Sequence, residues 1–296
     1  MHQRKPATVA MTSSPGRRLA GAGATTNVRR DAAFTLVEML VVISIIGVLM
    51  ALVIPSIGAI RRYGNTLTCA SNIRQLNMGY VNYMADHGGQ LIPYKISTVW
   101  MKDVLAYHES GNLKANGSID ADTIRFCPEA TVKFAAANAP YANPPGTPVN
   151  KQVWTYGGYA GGSYVMNGYL YNTQDGDGNY GGHVHPRLPD PRSDTSYWFG
   201  TNLARTDPSR TPSFIDGQWV DLWPRNEEQF FAVTENKVNQ PWSIGDPNSA
   251  GSLIRVNITR HGNSINMSMS DGHIERIPIK PGLAELKRLK WSMAWP

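Results

Sequence analysis

The spacing of apolar and polar residues changes character several times along the chain. From Phe34 to Ile54 the sequence reads FTLVEMLVVISIIGVLMALVI, 21 residues broken by a single charge, Glu38. As a helix this run spans roughly 31 Å at about 1.5 Å per residue, enough to cross the hydrocarbon core of a bilayer. Pro55 and Gly58 follow, where a helix leaving a membrane is expected to bend. Apolar side chains then recur at Cys69, Ile73, Leu76, Tyr80 and Tyr83, with Ile60 and Met84 extending the row. Steps of three and four predict an amphipathic helix, with Asn72, Arg74 and Gln75 on its opposite face and His87-Gly88-Gly89 as its stop.

Past Gly89 the pattern loosens. Leu91 to Tyr94 begins a connection, and Val99 to Tyr107 predicts a short helix. The Pro- and Ala-rich stretch 135–148 and the segment 186–191 read as loops. Between Tyr156 and Tyr171 aromatics and glycines interleave, which predicts a twisted strand with tight bends. Alternation is clearest near the end. Strands are expected over Leu253–Thr259, over the row Ile265, Met267 and Met269, and over His273–Ile279, where Pro278 marks an edge. Asp271-Gly272 is a hairpin turn signal, and Leu283 to Trp291 predicts a closing helix. The expected fold is α+β, one long helix on an antiparallel sheet with an elaborated, loop-rich middle.

Composition narrows the functional classes. The net charge is +6, but residues 1–33 hold six basic side chains against Asp31 alone. The remainder is nearly balanced, so a nucleic-acid partner has no electrostatic motive. Residues 1–33 carry no hydrophobic period and read as a leader that is removed. The apolar run is too long for a secretory h-region, and no A-x-A-like site follows it. Arg29 and Arg30 before the run tie with Arg61 and Arg62 after it, so the positive-inside count leaves orientation open. A carboxylate inside an apolar span calls for an opposite charge, and a neighbouring chain's terminal amine is a suitable one.

Ala33-Phe34-Thr35-Leu36-Val37-Glu38 resembles the cleavage and methylation motif of type IV prepilins and type II secretion pseudopilins. The resemblance implies a pilin-like fold and cutting by a prepilin peptidase between Ala33 and Phe34. It also implies N-methylation of Phe34 and pairing of Glu38 with another subunit during fibre assembly. Pro55 falls where pilins commonly place a helix-kinking proline. Ala33 departs from the glycine usual before the cut. His261 and Asp271-Gly272 match the H-X9-DG signature that accompanies such N-termini in a group of pseudopilin-like proteins. Cys69 to Gln75 and Phe126-Cys127-Pro128 also resemble segments of that group.

The resulting organisation is a leader over 1–33, a transmembrane helix over 34–57 and a soluble domain over 58–296. The soluble domain is expected outside the cytoplasm, on a single-pass inner-membrane anchor. Expected partners are the peptidase, membrane lipid and other pseudopilin subunits, and no enzymatic activity is expected. The alternative is an envelope-anchored binding module or hydrolase acting on glycans, to which exposed aromatics would contribute; most of the eight Trp and thirteen Tyr are expected to pack internally.

Candidate chemistry is sparse. No nucleophile elbow, no His-Glu-x-x-His and no phosphate loop is present. His261, Asp271 and His273, with Asp216, could converge on a metal or proton-transfer site, against the simpler reading that Asp271-Gly272 makes the turn. Asp175, Asp177 and Asn179 alternate with glycines as in calcium loops, without the EF-hand's Gly or terminal Glu; they are the candidate calcium ligands, against the simpler reading of a Gly/Asp turn. The only two cysteines, Cys69 and Cys127, are expected to form a disulfide in an oxidising compartment. Mass spectrometry of the membrane fraction is expected to find a mature chain beginning at N-methylated Phe34. A chain that still begins at Met1 or Met11, or begins after Ile54, contradicts the prepilin reading.

Overall fold

The computed structural model describes residues 34–95, 99–108, 124–130, 154–156, 160–172, 195–200, 202–203, 207–224, 255–262, 264–279 and 284–295. The chain divides into two compact units, Met1–Val53 and Ile54–Pro296. Helix α1, Leu36–Asp86, belongs to both and carries Pro55 within it.

In the first unit α1 presents its apolar side chains outward all round, from Leu36 to Leu52. Its first turn is closed locally. The Thr35 backbone N–H and hydroxyl both donate to Glu38 Oε2 at 2.8 Å, and the Glu38 N–H donates to Thr35 Oγ1 at 3.2 Å. This reciprocal Thr-x-x-Glu arrangement is a capping box, which satisfies backbone donors that the first turn leaves without intrahelical partners.

In the second unit α1 is amphipathic as its spacing predicts. Cys69, Ile73, Leu76, Tyr80, Tyr83 and Met84 are buried, joined by Thr66, Asn77 and Gly79. Ile60, expected to extend the row, is instead exposed. The helix ends at Asp86, and Gly88 and Gly89 take positive φ just beyond it. Helix α2, Met101–Leu105, forms inside the expected segment and approaches α1 at Gly79, where a Cβ would lie 2.7 Å from the Val104 carbonyl oxygen.

The main sheet has five strands: β4 (Tyr164–Asn167), β6 (Pro212–Asp216), β7 (Asp221–Leu222), β8 (Ser264–Met269) and β9 (Ile274–Pro278). Their order is β7-β4-β6-β8-β9, antiparallel except for the parallel β4–β7 pair. Pro278 lies on β9 at the sheet edge, where its missing N–H costs no ladder bond. Asp271-Gly272 turns β8 into β9, with Gly272 at φ 97°. Two small pairs complete the described strands: β1 (Ile92–Pro93) with β5 (Tyr171–Asn172), and β2 (Trp154–Tyr156) with β3 (Ala160–Gly162). The aromatic-glycine stretch is thus β3, β4, a 3-10 turn at Gly168–Leu170 and β5 rather than one strand. Leu253–Thr259 differs from expectation too. Its described part makes only an isolated bridge from Val256 to Gly217 and then turns. The closing helix α3 is short, Ala284–Lys287, and the buried Leu289 and Trp291 follow it.

Both faces of this sheet are covered. Tyr164, Met166 and Phe214 share one core with the α1 row and with Trp100 and Trp154. Val165, Ile215, Ile265, Met267 and Met269 form the other core with Leu286, Leu289, Trp291 and Trp295. Seven tryptophans are described and all are buried, which makes them packing residues rather than a displayed binding surface. Asn266 and Ser268, the polar members of the β8 alternation, lie buried and bond toward α1. Asn266 Nδ2 donates to the Thr66 carbonyl at 3.0 Å, while Ser268 Oγ and Ser213 Oγ lie 2.7 Å apart. Ser213 Oγ donates to Asn77 Oδ1 at 2.6 Å, and Asn77 Nδ2 donates to the Met269 carbonyl at 3.1 Å. Asn77 therefore ties α1 to β6 and β8 at once. Asn77→Ala is expected to cost about 1–3 kcal/mol, because buried polar partners lose their bonds. Arg74→Ala, on the exposed side of α1, should leave stability nearly unchanged; denaturant unfolding followed by tryptophan fluorescence compares the two.

Candidate functional site

Four chemically capable side chains meet beneath α1. Cys69 comes from the buried row of α1, and Asp216 ends β6. Cys127 lies in the turn 124–130, held down by Asn65 Nδ2 donating to Glu129 Oε1 at 2.6 Å and Asn72 Nδ2 donating to the Phe126 carbonyl at 3.0 Å. The Cys127 N–H donates to Ser163 Oγ at 2.6 Å, which fixes the turn against the start of β4. His261 sits on the turn before β8, where the chain has left the Val256–Gly217 bridge.

One ligand-type atom from each of these residues lies within 4.8 Å of all the others, and all four residues are buried. The Cys69 thiol donates to Asp216 Oδ1 at 3.1 Å. His261 Nε2 faces both Cys127 Sγ, at 3.3 Å, and Asp216 Oδ2, at 3.4 Å. His261 Nδ1 lies 3.2 Å from Thr66 Oγ1, whose own hydrogen goes to the Arg62 carbonyl at 2.8 Å. Thr66 Oγ1 therefore accepts, Nδ1 carries a hydrogen, and Nε2 is the nitrogen turned to the centre. Asp216 Oδ2 also accepts the Asn266 N–H at 3.1 Å. Arg260, fully buried, lies 3.5 Å from Asp216 Oδ1 and donates to the Gly217 carbonyl at 3.1 Å.

The electrostatics follow from burial set against these partners. Burial pushes the Cys69 thiol well up, helped by Cys127 and by the Asp216 charge. At Asp216 burial works upward too, but the bond and charge of His261 and the charge of Arg260 prevail and hold it below the usual value. Burial would raise Cys127, yet its side-chain interactions with Cys69 and His261, together with the charge of Arg260, bring it down to about 6. Burial would lower His261, and its bonds to Asp216 and Cys127 lift it to about 9. Near pH 7 the cluster thus pairs a thiolate and a carboxylate with an imidazolium and a guanidinium.

A thiolate beside an imidazolium is the starting state of cysteine nucleophiles. Here the arrangement differs from a catalytic relay. In such a relay one imidazole nitrogen meets the sulfur and the other meets the orienting group. In this cluster Cys127 and Asp216 converge on the same nitrogen, and Cys127 is only 1% exposed. The chemistry that the geometry favours is convergence of sulfur, nitrogen and oxygen donors on one point.

Of the residues singled out from the sequence, His261 and Asp216 do come together. Asp271 and His273 do not join them. They stay on the hairpin surface, where Asp271 Oδ1 lies 2.6 Å from His273 Nδ1 and accepts the His273 N–H at 3.1 Å. Cys69 and Cys127, the expected disulfide pair, both lie in the cluster as free, buried cysteines. Each sulfur has a polar neighbour in the cluster, Asp216 for Cys69 and His261 for Cys127. Ala33 and the candidate calcium ligands Asp175, Asp177 and Asn179 lie outside the described residues. Thr66 and Arg260 escaped the sequence reading: a threonine in a helix and an arginine beside a turn carry no local signal, and only the fold brings them to His261 and Asp216.

The Prokaryotic N-terminal methylation motif matches residues 28–54, well under half of the chain. No curated protein and no solved structure matches the chain closely enough to count as a relative. The motif, lying on a helix long and apolar enough to cross a membrane, supports a membrane-anchored protein with a type IV pilin-like N-terminus. It also implies processing by a prepilin peptidase and assembly with other pilin subunits. For the buried cluster, thiol titration of unfolded, unreduced protein in the presence of chelator is expected to return two free thiols per chain. A value near zero would restore the disulfide.

Proposed function

We propose that the protein is a non-catalytic pseudopilin-like subunit that assembles into a fibre of the type II secretion or type IV pilus kind. The observation that carries this reading is the methylation motif, with Glu38 as the single carboxylate of the apolar run, at the start of an outward-facing helix. In this reading a prepilin peptidase cuts between Ala33 and Phe34. The apolar half of α1 holds the subunit in the cytoplasmic membrane, and the second unit lies outside the cytoplasm. Glu38 of one subunit takes the terminal amine of the next as its counter-charge. An apolar helix with one acid needs such a partner when lipid or neighbouring helices surround it.

The capping box supplies a way to separate two roles of Glu38. Glutamine serves at this capping position nearly as well as glutamate, so Glu38→Gln keeps the helix start and removes only the charge. Thr35→Ala removes the cap, at about 1 kcal/mol, and keeps the charge. Assembly is read by crosslinking between subunits in membranes and by recovery of sheared fibres. Glu38→Gln is expected to abolish assembly while leader removal continues, and Thr35→Ala to assemble. Normal assembly by Glu38→Gln would refute the fibre reading.

A further inference from the structure

We propose that Cys69, Cys127, Asp216 and His261 bind a single zinc ion as a closed, structural site. Zinc held by four protein ligands is tetrahedral, with bonds of about 2.0–2.3 Å, which places ligand atoms roughly 3.3–3.8 Å apart. The contacts across the cluster, 3.1 Å, 3.3 Å and 3.4 Å, already approach that scale, and all four donor atoms lie within 4.8 Å of one another. Two sulfurs, an imidazole nitrogen and a carboxylate oxygen are a donor set that suits zinc, whereas calcium and magnesium take oxygen.

The surroundings are built for the same purpose. Thr66 accepts from His261 Nδ1 and so aims Nε2 at the centre, the outer-shell bond that ligating histidines commonly make. The Asn266 N–H orients the carboxylate of Asp216 in the same manner. Charge closes as well. Two thiolates and a carboxylate around a dication leave one negative charge, and the buried guanidinium of Arg260 lies 3.5 Å from Asp216 to neutralise it. Binding displaces the proton on His261 Nε2 and the proton on the Cys69 sulfur, and no electron is transferred. The ligands come from α1, from the turn 124–130, from β6 and from the turn before β8, so the ion would fasten four distant segments at one point. It would also keep both thiols reduced outside the cytoplasm, where an unliganded pair would be open to oxidation.

The test uses the full chain in detergent, reduced, stripped with a chelator and then given zinc alone or cobalt(II) alone. One zinc per chain by elemental analysis is expected, with a higher melting temperature. Cobalt(II) is expected to give the visible bands of a tetrahedral centre and a near-ultraviolet thiolate-to-metal charge-transfer band. Because the chain has two cysteines only, that band can arise only from Cys69 and Cys127. Thr66→Val is expected to weaken zinc binding about 10–100-fold through loss of the bond that orients His261. His273→Ala, outside the cluster, should bind as the parent does. Folded parent protein that takes up no zinc, or a cobalt adduct without the charge-transfer band, overturns the proposal. Parent-like affinity in Thr66→Val together with a loss in His273→Ala would overturn it equally. The parent spectrum decides the matter even where a cluster variant fails to fold.

Discussion

A carboxylate with no exposure to solvent organises the second unit. Asp216 ends a central strand and is satisfied by the Cys69 thiol, the His261 imidazole, the Arg260 guanidinium and the Asn266 backbone. Breaking a buried charge pair commonly costs about 3–5 kcal/mol, because the remaining charge has no water to turn to. The partners of Asp216 come from three separate stretches of chain, α1, the turn that holds Arg260 and His261, and β8. Helix, sheet and the turn before β8 must therefore be placed together before the carboxylate can be buried. This constraint explains why the segment 255–262 turns inward: it must deliver Arg260 and His261 beneath the helix, and a regular strand there could not do so.

The same constraint shapes the interface between α1 and the sheet. Helix-on-sheet packing is ordinarily an apolar contact, and much of this one is, through Tyr80, Phe214, Met166 and Trp100. Toward β8 it becomes polar, with Asn266 bonded to Thr66 and with Asn77, Ser213 and Ser268 in a second bonded series. Such a network contributes less net stability per contact than apolar burial, but it admits only one register of helix against sheet. That register sets the height at which Cys69 meets Asp216. The apolar side of β8 faces the other way, into the core made with α3 and the two C-terminal tryptophans.

The first unit obeys a different logic. Among its described residues the apolar helix has no core of its own to fill, and its outward-facing side chains suit a lipid surrounding. Glu38 is the exception. Its bonds to Thr35 close the first turn of the helix and hold the carboxylate there.

Much of this was legible in the residues alone. The membrane-length run, the amphipathic row from Cys69 to Met84, the turn at Asp271-Gly272 and the edge proline at Pro278 are all local. Each depends on periodicity or on backbone preference within a few positions. The α+β class followed from them. Tertiary structure decided what the polar positions do. Alternation along β8 reads as one wet face, yet both faces are buried, because α1 covers the polar side. The two cysteines lie 58 positions apart in sequence, and Asp216 and His261 lie far from both. Spacing shows that two thiols can meet; it does not show that a carboxylate and an imidazole reach them as well. That meeting arises from strand order and from the inward turn at 258–262, long-range features for which no short stretch of sequence carries the information.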